Sequence, residues 1–254
     1  MKQYLDIVKN ILENGIKKQP TRYENGIAVP VKNATIGLPA QTFIHDMRAG
    51  FPALTTRKIA FKSTMVELEG FIKGITDKRW YQQRGCKYWD WWCNPEEAKR
   101  FYQENYVDPY NRDIEQDKKD GFLDFEGRFL PTFSSIKNQI QQSVSDLGPI
   151  YGSQWRSFGT HYGDINFEVA DWVYYANGSQ DGYDQLKSIV ETLKKNPYDR
   201  RMVCSAWNPN QICMMALPPC HFAWNVVVYG DTISLIWHQR SVDLMAGATH
   251  NIAS

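Results

Sequence analysis

The segment that decides the fold reads LPPCHFAWNVVVYGDTISLIWHQRSVD over residues 217–243, and the chain ends in NIAS over residues 251–254. Aromatic and β-branched residues predominate from Phe222 to Tyr229 and predict a strand. The Gly230-Asp231 pair that follows is typical of a turn. From Thr232 the side chains alternate between two faces, so a second strand is predicted to pair with the first.

Pairing of these two strands predicts that Cys220, at the start of the first, lies close to Arg240, at the end of the second. A cation beside a thiol favours the thiolate, which is the nucleophilic form of cysteine. The alternative is a structural cysteine beside ordinary strand charges, because free cysteines are mostly buried and inert. A cysteine hydrolase with His221 as its base is discarded, since adjacent residues of an extended segment point to opposite faces.

The composition is typical of a globular enzyme. The chain has 254 residues, 43% of them hydrophobic and 22% charged, with a formal net charge of +1. That length suits one domain with a sizeable core. The small net charge gives no general attraction to nucleic acid or anionic membrane, so bound anions must be held by local arginines. Neither a membrane span nor a signal peptide is expected. Five cysteines without zinc spacing predict a cytoplasmic protein with no metal.

Helical spacing of apolar residues predicts helices upstream of the C-terminal segment. They cover residues 2–14, a stretch after Arg57-Lys58, and residues 186–193 before the stop signal Asn196-Pro197. The second helix is predicted to bury a stripe of Met65, Leu68 and Ile72, with Glu67 off that stripe. A strand is predicted over residues 202–207. This alternation of strands and helices indicates an α/β or α+β architecture.

Three motifs of the C-terminal segment resemble the thymidylate synthase family. They are LPPCH at 217–221, QRS-x-D at 239–243 and NIAS at 251–254, and the resemblance extends along nearly the whole chain. It implies an α+β fold (an α/β two-layer arrangement) with a mixed, mostly antiparallel sheet backed by helices and a dimer formed through the sheet. We expect a single domain over residues 1–254 with insertions at about 94–144 and 163–183.

The resemblance implies reductive methylation of deoxyuridine monophosphate (dUMP) to thymidine monophosphate, with 5,10-methylenetetrahydrofolate as co-substrate and no metal. A thiolate that adds to carbon 6 of uracil makes carbon 5 nucleophilic, which is covalent catalysis. The residues assigned to catalysis are Cys220 as the nucleophile together with Glu67, Tyr151, His221 and Asp243. Glu67 and His221 would order water near the pyrimidine carbonyl, and Tyr151 or a water would take the proton from carbon 5.

The resemblance also assigns binding roles. The substrate-binding residues are Arg22, Arg200, Arg201, Arg240, Ser241, Asp243 and Asn251. The residues assigned to folate are Trp89, Trp92, Asp243, Gly247 and Leu217. Arginine forks suit phosphate oxygens, and an asparagine amide can pair with both the carbonyl and the ring N–H of uracil. Arg200 and Arg201 are expected to enter the partner's site, which makes a homodimer obligatory. The alternatives are solvated arginines, core tryptophans and a turn asparagine.

The sequence departs from the family pattern at four places, and the last two of them support other functions. The family's Thr-Gly-Thr-Gly after the arginine at position 22 is absent, Asn225 stands where glutamine is common, and Ala246-Gly-Ala-Thr-His250 replaces Leu-Gly-x-Pro-Phe. The chain also stops at Ser254, before the family's deoxyribose-binding segment, so we expect a C-terminal part of the fold to be missing. A wetter pocket favours a dUMP hydroxymethylase of the kind bacteriophages use, in which water captures the methylene intermediate. The third alternative is an inactive nucleotide-binding homologue.

Overall fold

The structure is a computed structural model that describes residues 2–19, 21–24, 27–30, 34–106, 133–160, 182–245 and 247–252. Contacts between Cα atoms divide the chain into two compact units. The first contains Met1–Phe61 and Asp243–Ser254, and the second contains Lys62–Val242. Most of the expected insertion at 163–183 lies outside the described residues, as does the middle of the insertion at 94–144.

The described helices are, in chain order, α1 (Lys2–Asn14), α2 (Phe61–Lys73), α3 (Lys78–Gln83), α4 (Pro95–Tyr106), α5 (Phe133–Ser143), α6 (Tyr151–Arg156), α7 (Gln185–Lys195) and α8 (Ala248–Asn251), with short 3-10 turns at Met47–Ala49 and Ile212–Met214. The described strands are β1 (Ile16–Lys18), β2 (Thr21–Glu24), β3 (Ile27–Pro30), β4 (Thr35–Gly37), β5 (Val203–Ser205), β6 (His221–Tyr229) and β7 (Thr232–Gln239). Helices α1 and α7 confirm two of the helix predictions, while β5 is shorter than the predicted strand over residues 202–207.

The strands form three small sheets, in the orders β1-β4, β2-β3 and β5-β6-β7. Every strand pair in the described part of the chain is antiparallel. Helices together with small antiparallel sheets agree with the α+β class. A mixed sheet was expected, but the described strands include no parallel pair, because each is joined to its neighbour by a hairpin or a longer antiparallel return.

In the first unit, α1 packs through one aromatic side chain. Tyr4 is buried and clusters with Leu54 and Ala248. Its hydroxyl donates a hydrogen bond to the Leu244 carbonyl oxygen at 2.9 Å. Residues at the two ends of the chain therefore share one small core, and this holds the segment around Ala248 in place.

In the second unit, the core is dominated by aromatic rings. The buried cluster includes Phe71, Tyr81, Trp89, Tyr151, Trp155 and Trp224. Large rings bury much apolar surface, and several of these pairs meet edge to face, which is a favourable arrangement. This aromatic core lies under the β6–β7 hairpin, because Trp155 contacts Trp224 of β6 and Trp237 of β7.

The β6–β7 hairpin is the element that the sequence predicted most directly. Tyr229 pairs with Thr232 across a turn in which Gly230 has a φ of 57°, a conformation that favours glycine. Trp224 pairs with Trp237, so both indoles lie on the core side. The register shifts between His221 and Ala223, next to Cys220. Such an irregularity redirects side chains at the end of a ladder.

One face assignment was wrong. The predicted stripe on α2 includes Ile72, but Ile72 is 43% exposed, whereas Thr64 and Phe71 are buried. Glu67 lies three residues after Thr64 and four before Phe71, so it is on the buried face rather than off it. The apolar pattern placed Leu68 correctly, since it packs against the core cluster, but it missed Thr64 and Gly70, which are buried although neither is a large apolar residue.

Candidate active site

Cys220 stands directly before β6, where Arg240 reaches it from the end of β7. The Arg240 backbone N–H donates to the Cys220 carbonyl oxygen at 2.9 Å and continues the strand pairing by one residue. Arg240 Nη2 lies 3.9 Å from Cys220 Sγ. The sulfur therefore has a guanidinium neighbour, as the strand pairing predicts. Cys220 is also partly exposed, in contrast to the buried Cys86 and Cys204.

The Arg240 side chain is held by groups that the sequence analysis did not single out. Its Nε donates to the Pro219 carbonyl oxygen at 2.9 Å, and its Nη2 donates to the Pro218 carbonyl oxygen at 2.8 Å. Its guanidinium carbon lies 5.6 Å from the centre of the Trp207 ring, within the range of a cation–π contact. The proline pair was the available signal, since prolines offer acceptors and no N–H donors.

Tyr151 approaches Cys220 from the start of α6. The Cys220 backbone N–H donates to the Tyr151 hydroxyl oxygen at 3.0 Å. Helix α6 packs closely against α2 through its second residue, Gly152, where a Cβ atom would lie 2.2 Å from the Phe71 carbonyl oxygen. Burial raises the pKa of Tyr151 above its ordinary value. The hydroxyl therefore stays protonated at neutral pH.

His221 joins Cys220, Arg240 and Tyr151 in a site that we call the Cys220 corner, and it lies on the core side of this site. Its ring stacks on Tyr151 with centroids 4.1 Å apart and is tilted against Trp237 at 5.0 Å. Burial lowers the pKa of His221 to about 4, so the imidazole is neutral at pH 7. Its Nδ1 atom is buried and makes no hydrogen bond to the described residues. The neutral ring has one donor and one acceptor nitrogen.

Glu67 belongs to the same unit and lies on the buried face of α2. Burial raises the pKa of Glu67 to about 7, and the hydrogen-bonding influence of Trp89, which lowers it, offsets only part of that rise. The carboxyl group is therefore close to half-protonated at neutral pH. A group poised in this way can accept and return a proton during a reaction.

The two tryptophans assigned to folate have different surroundings. Trp89 is 4% exposed and contacts Phe71 and Tyr151 edge to face, at 6.2 and 6.1 Å between ring centres. Trp92 is 39% exposed. Leu217, also assigned to folate, is partly buried against the aromatic core. Only Trp92 of the two indoles therefore offers substantial free surface, while Trp89 supports Tyr151 from beneath.

The arginines assigned to phosphate are not all brought together. Arg240 is beside Cys220, and Ser241 follows it on an exposed segment. Arg200 and Arg201 are exposed in the turn before β5. Arg201 Nη2 lies 2.6 Å from Asp199 Oδ2, and hydrogen bonds from Arg201 hold the pKa of Asp199 at about 2. The Arg22 side chain lies outside the described residues.

Asp243, Gly247 and Asn251 belong to the first unit. Asp243 Oδ1 accepts a hydrogen bond from the Met245 N–H at 2.8 Å, and the Asp243 carbonyl oxygen accepts from Gly247 and Ala248. The Asn251 N–H donates to the Gly247 carbonyl oxygen at 3.0 Å. Asn251 is thus fixed in α8 by backbone hydrogen bonds, with Asp243 at the start of the same turn.

The described residues contain neither a cluster of potential metal ligands nor a helix able to span a membrane. Their histidine, cysteine and acidic side chains nowhere gather in groups of three that could hold a metal ion. Of the helices in this part of the chain, none has both the length and the apolarity that crossing a bilayer requires.

Comparison with known proteins assigns the family. The family model for thymidylate synthase matches residues 2–254. The chain belongs to the thymidylate synthase family. The thymidylate synthase of Mycoplasma mobile is 35% identical over 257 residues, which cover 100% of this chain and 71% of that protein. The thymidylate synthase of Mesoplasma florum is 32% identical with the same coverage, and the human thymidylate synthase is 33% identical over 99% of this chain and 63% of that protein.

The Cys220 corner brings together residues from the motifs that carry the resemblance to the thymidylate synthase family. The residues that converge there in the second unit are Cys220, Arg240, Tyr151 and His221. Three of them stand in motifs on which the family resemblance rests. Trp207, Pro218 and Pro219 add the contacts that hold Arg240 in place.

Proposed function

We propose that this chain methylates dUMP through a covalent bond between Cys220 Sγ and carbon 6 of the uracil ring, with 5,10-methylenetetrahydrofolate as co-substrate. Methyl transfer of the thymidylate synthase type is the activity that the family and the curated relatives support. The single observation that carries the covalent step is the convergence of Arg240 and Tyr151 on a partly exposed cysteine.

The covalent step uses the Cys220 thiolate as nucleophile. Attack at carbon 6 moves electron density through the ring onto the carbonyl oxygen, so carbon 5 becomes nucleophilic. The Arg240 guanidinium beside Sγ supplies a positive charge that does not have to be brought in during the reaction. The hydrogen bond from Cys220 N–H to Tyr151 fixes the backbone of the nucleophile.

Proton handling falls to Glu67 and His221. With a pKa of about 7, the Glu67 carboxyl can exchange a proton with water near the pyrimidine carbonyl. The neutral His221 keeps the water-ordering role that the family resemblance assigns to it. Because the Tyr151 hydroxyl stays protonated, we assign removal of the carbon 5 proton to a water hydrogen-bonded to Tyr151.

An exposed indole supports the assignment of folate as co-substrate. Trp92 leaves more than a third of its surface exposed and offers an indole face for stacking. Trp92, Leu217 and Trp89, like Asp243 and Gly247, keep the folate roles that the family resemblance assigns to them. The folate supplies the carbon and the hydride of the new methyl group when it is bound.

Nucleotide recognition rests on arginines and one asparagine. Arg240 and Ser241 would bind the phosphate together with Arg22 and with Arg200 and Arg201 of the partner subunit. Asn251 would select uracil, since its amide offers one donor and one acceptor.

All five cysteines are unpaired, which supports a reducing compartment such as the cytoplasm.

The homodimer is supported by the outer face of the β5-β6-β7 sheet. Val203 pairs with Asn225, and Asn225 pairs with Ile236, so these side chains share the face opposite Trp224. On that face Val203 is 53% and Ile236 is 42% exposed. A second copy of this face would cover those side chains and place the turn before β5 at the subunit boundary.

The deciding experiment is product analysis with purified protein, dUMP and methylenetetrahydrofolate. We expect thymidine monophosphate and dihydrofolate in equal amounts, followed by the absorbance of dihydrofolate and by mass spectrometry of the nucleotide. The control replaces dUMP with deoxycytidine monophosphate, which should not react.

Two outcomes would contradict the proposal. A hydroxymethyl nucleotide with tetrahydrofolate as the second product would assign the chain to hydroxymethyl transfer. If the protein shows no turnover and forms no covalent complex with 5-fluoro-dUMP, it is a nucleotide-binding protein that does not catalyse the reaction.

A further inference from the structure

Lys78 is a buried lysine with no role in the chemistry described above. It is the first residue of α3 and is only 2% exposed. Burying an ammonium group is costly unless hydrogen bonds replace its water shell. Desolvation lowers the pKa of Lys78, and the nearby groups of Cys93, Asp90 and Asp77 counteract that effect. We therefore expect the hydrogen bonds of Lys78 to hold neighbouring segments of the chain in position.

The hydrogen bonds of Lys78 identify what it holds. Its Nζ donates to the Trp92 carbonyl oxygen at 3.0 Å and also to the Gln141 carbonyl oxygen. Gln141 lies in the last turn of α5, where carbonyl oxygens lack helical partners and the helix dipole is negative. A cation is favourable there, so Lys78 joins the end of α5 to the backbone of the loop that carries Trp92.

A second bond joins the same two segments. The Gln141 side-chain Nε2 donates to the Trp91 carbonyl oxygen at 2.8 Å. The carbonyl oxygens of two consecutive residues, Trp91 and Trp92, are therefore held by Gln141 and Lys78. We call these two side chains with their carbonyl partners the carbonyl clasp.

The chain on either side of the clasp is also fixed. The Lys78 backbone N–H donates to the Ser145 carbonyl oxygen at 2.9 Å. The Asn94 N–H donates to the Asp146 carbonyl oxygen at 2.7 Å, and Asn94 Nδ2 donates to Asp146 Oδ2 at 2.8 Å. The loop over residues 89–94 is thus bound along its length to the end of α5 and the chain just after it, while the Trp92 indole stays partly exposed.

We propose that Lys78 and Gln141 are positioning residues for the methylenetetrahydrofolate site, because they fix the backbone that presents the Trp92 indole. This inference rests on the proposed folate role of Trp92. A stacking surface that is already in place costs less ordering entropy when the ligand binds. Loss of the clasp is therefore expected to weaken folate binding without altering the Cys220 corner.

The test compares Lys78→Met and Gln141→Ala with the wild-type protein. We expect the KM for methylenetetrahydrofolate to rise about tenfold in Lys78→Met and about threefold in Gln141→Ala, since small misplacements of binding groups have effects of this order or larger. The kcat and the KM for dUMP should stay within about twofold of wild type. Lys99→Met, an exposed lysine on α4, is the matched control and should leave all three constants unchanged.

Amide hydrogen exchange provides a readout that does not need turnover. Residues 89–94 should exchange faster in both variants, while residues 221–229 of β6 should keep the wild-type rate. If Lys78→Met does not fold, Gln141→Ala decides alone, because it removes one bond of the clasp and leaves the buried lysine in place.

The failure of this inference differs from failure of the proposed function. Wild-type protein that turns over, with both folded variants keeping the wild-type KM for methylenetetrahydrofolate, would overturn the clasp and leave the function standing. Wild-type protein without turnover would overturn the proposed function. If exchange at residues 89–94 were then also the same in the two variants as in wild type, the clasp would be overturned as well.

Discussion

The Cys220 corner and the turn before β5 are built in opposite ways. At the corner, the Arg240 guanidinium is fixed by the carbonyl oxygens of Pro218 and Pro219 and lies 3.9 Å from Cys220 Sγ. In the turn, the Arg201 side chain is 88% exposed and its described partner is Asp199, two residues away. One region is arranged by distant segments of the chain, and the other only by itself.

This difference separates the part of the proposed site that a single chain arranges, around Cys220, from the part that needs a second subunit, around Arg201. The proposed nucleophile, its cation, the buried Tyr151 and the partly buried His221 are held in place before substrate arrives. The exposed ion pair of Arg201 contributes little to stability, because solvent screens it and the side chain loses entropy. Under the dimer proposal, that arginine gains its function only opposite a second subunit.

Among substitutions in the Cys220 corner, removal of the proposed nucleophile should have the largest effect on kcat. We expect Cys220→Ala to lower kcat by roughly 10⁴-fold or more, since loss of a covalent nucleophile removes the whole reaction path. Mass spectrometry should show no covalent complex with 5-fluoro-dUMP. The matched control is Cys213→Ala, an exposed cysteine in a 3-10 turn, which should react like wild type. Undiminished turnover by Cys220→Ala would remove the nucleophile assignment.

Two titratable groups of the second unit, Glu67 and His221, should also give stability an unusual pH dependence. The pKa of Glu67 is about 7 in the fold against an ordinary 4.5, so between these values the folded state holds the extra proton and stability falls as pH rises. The pKa of His221 is about 4 against an ordinary 6.5, so the unfolded state holds the extra proton and stability falls as pH drops. The two effects oppose each other between pH 4.5 and 6.5.

Single substitutions should separate these opposing effects. Relative to wild type, the free energy of unfolding of Glu67→Gln should rise by about 1.4 kcal/mol per pH unit from pH 4.5 to 7, and that of His221→Asn should fall at a similar rate from pH 4 to 6.5. Urea unfolding at a series of pH values measures both slopes. Glu69→Gln controls for loss of a carboxylate from α2. Curves parallel to wild type in both variants would mean that the corner is not buried as described.

For the turn before β5, mixing of inactive variants tests whether its arginines act in the partner's site. Neither Cys220→Ala nor the double variant Arg200→Ala/Arg201→Ala should show much activity alone. After the two are unfolded and refolded together in equal amounts, about a quarter of the wild-type activity should return, because half of the dimers are mixed and each contains one complete site. Refolding each variant by itself is the control. Mixtures no more active than their components would confine these arginines to their own subunit or to no site.

Local pattern was sufficient for the hairpin and for the neighbourhood of Cys220 and Arg240. A strand, a glycine turn and a second strand leave few ways to pair, so the ends of the strands must meet. The face of α2 could not be read in the same way. Thr64 and Glu67 are polar, and they lie on the buried side because Tyr151, from a distant part of the chain, packs there against Phe71 of the same helix.

The sequence by itself determined the family, the hairpin and the closeness of Cys220 to Arg240, because short motifs and strand periodicity carry that information within a few dozen residues. The tertiary structure alone decided the protonation of Glu67 and His221, the exposure of Trp92 against the burial of Trp89, and the bonds of Lys78. Each of these depends on which distant segments exclude water from a side chain, and desolvation is a property of the packed molecule rather than of any stretch of sequence.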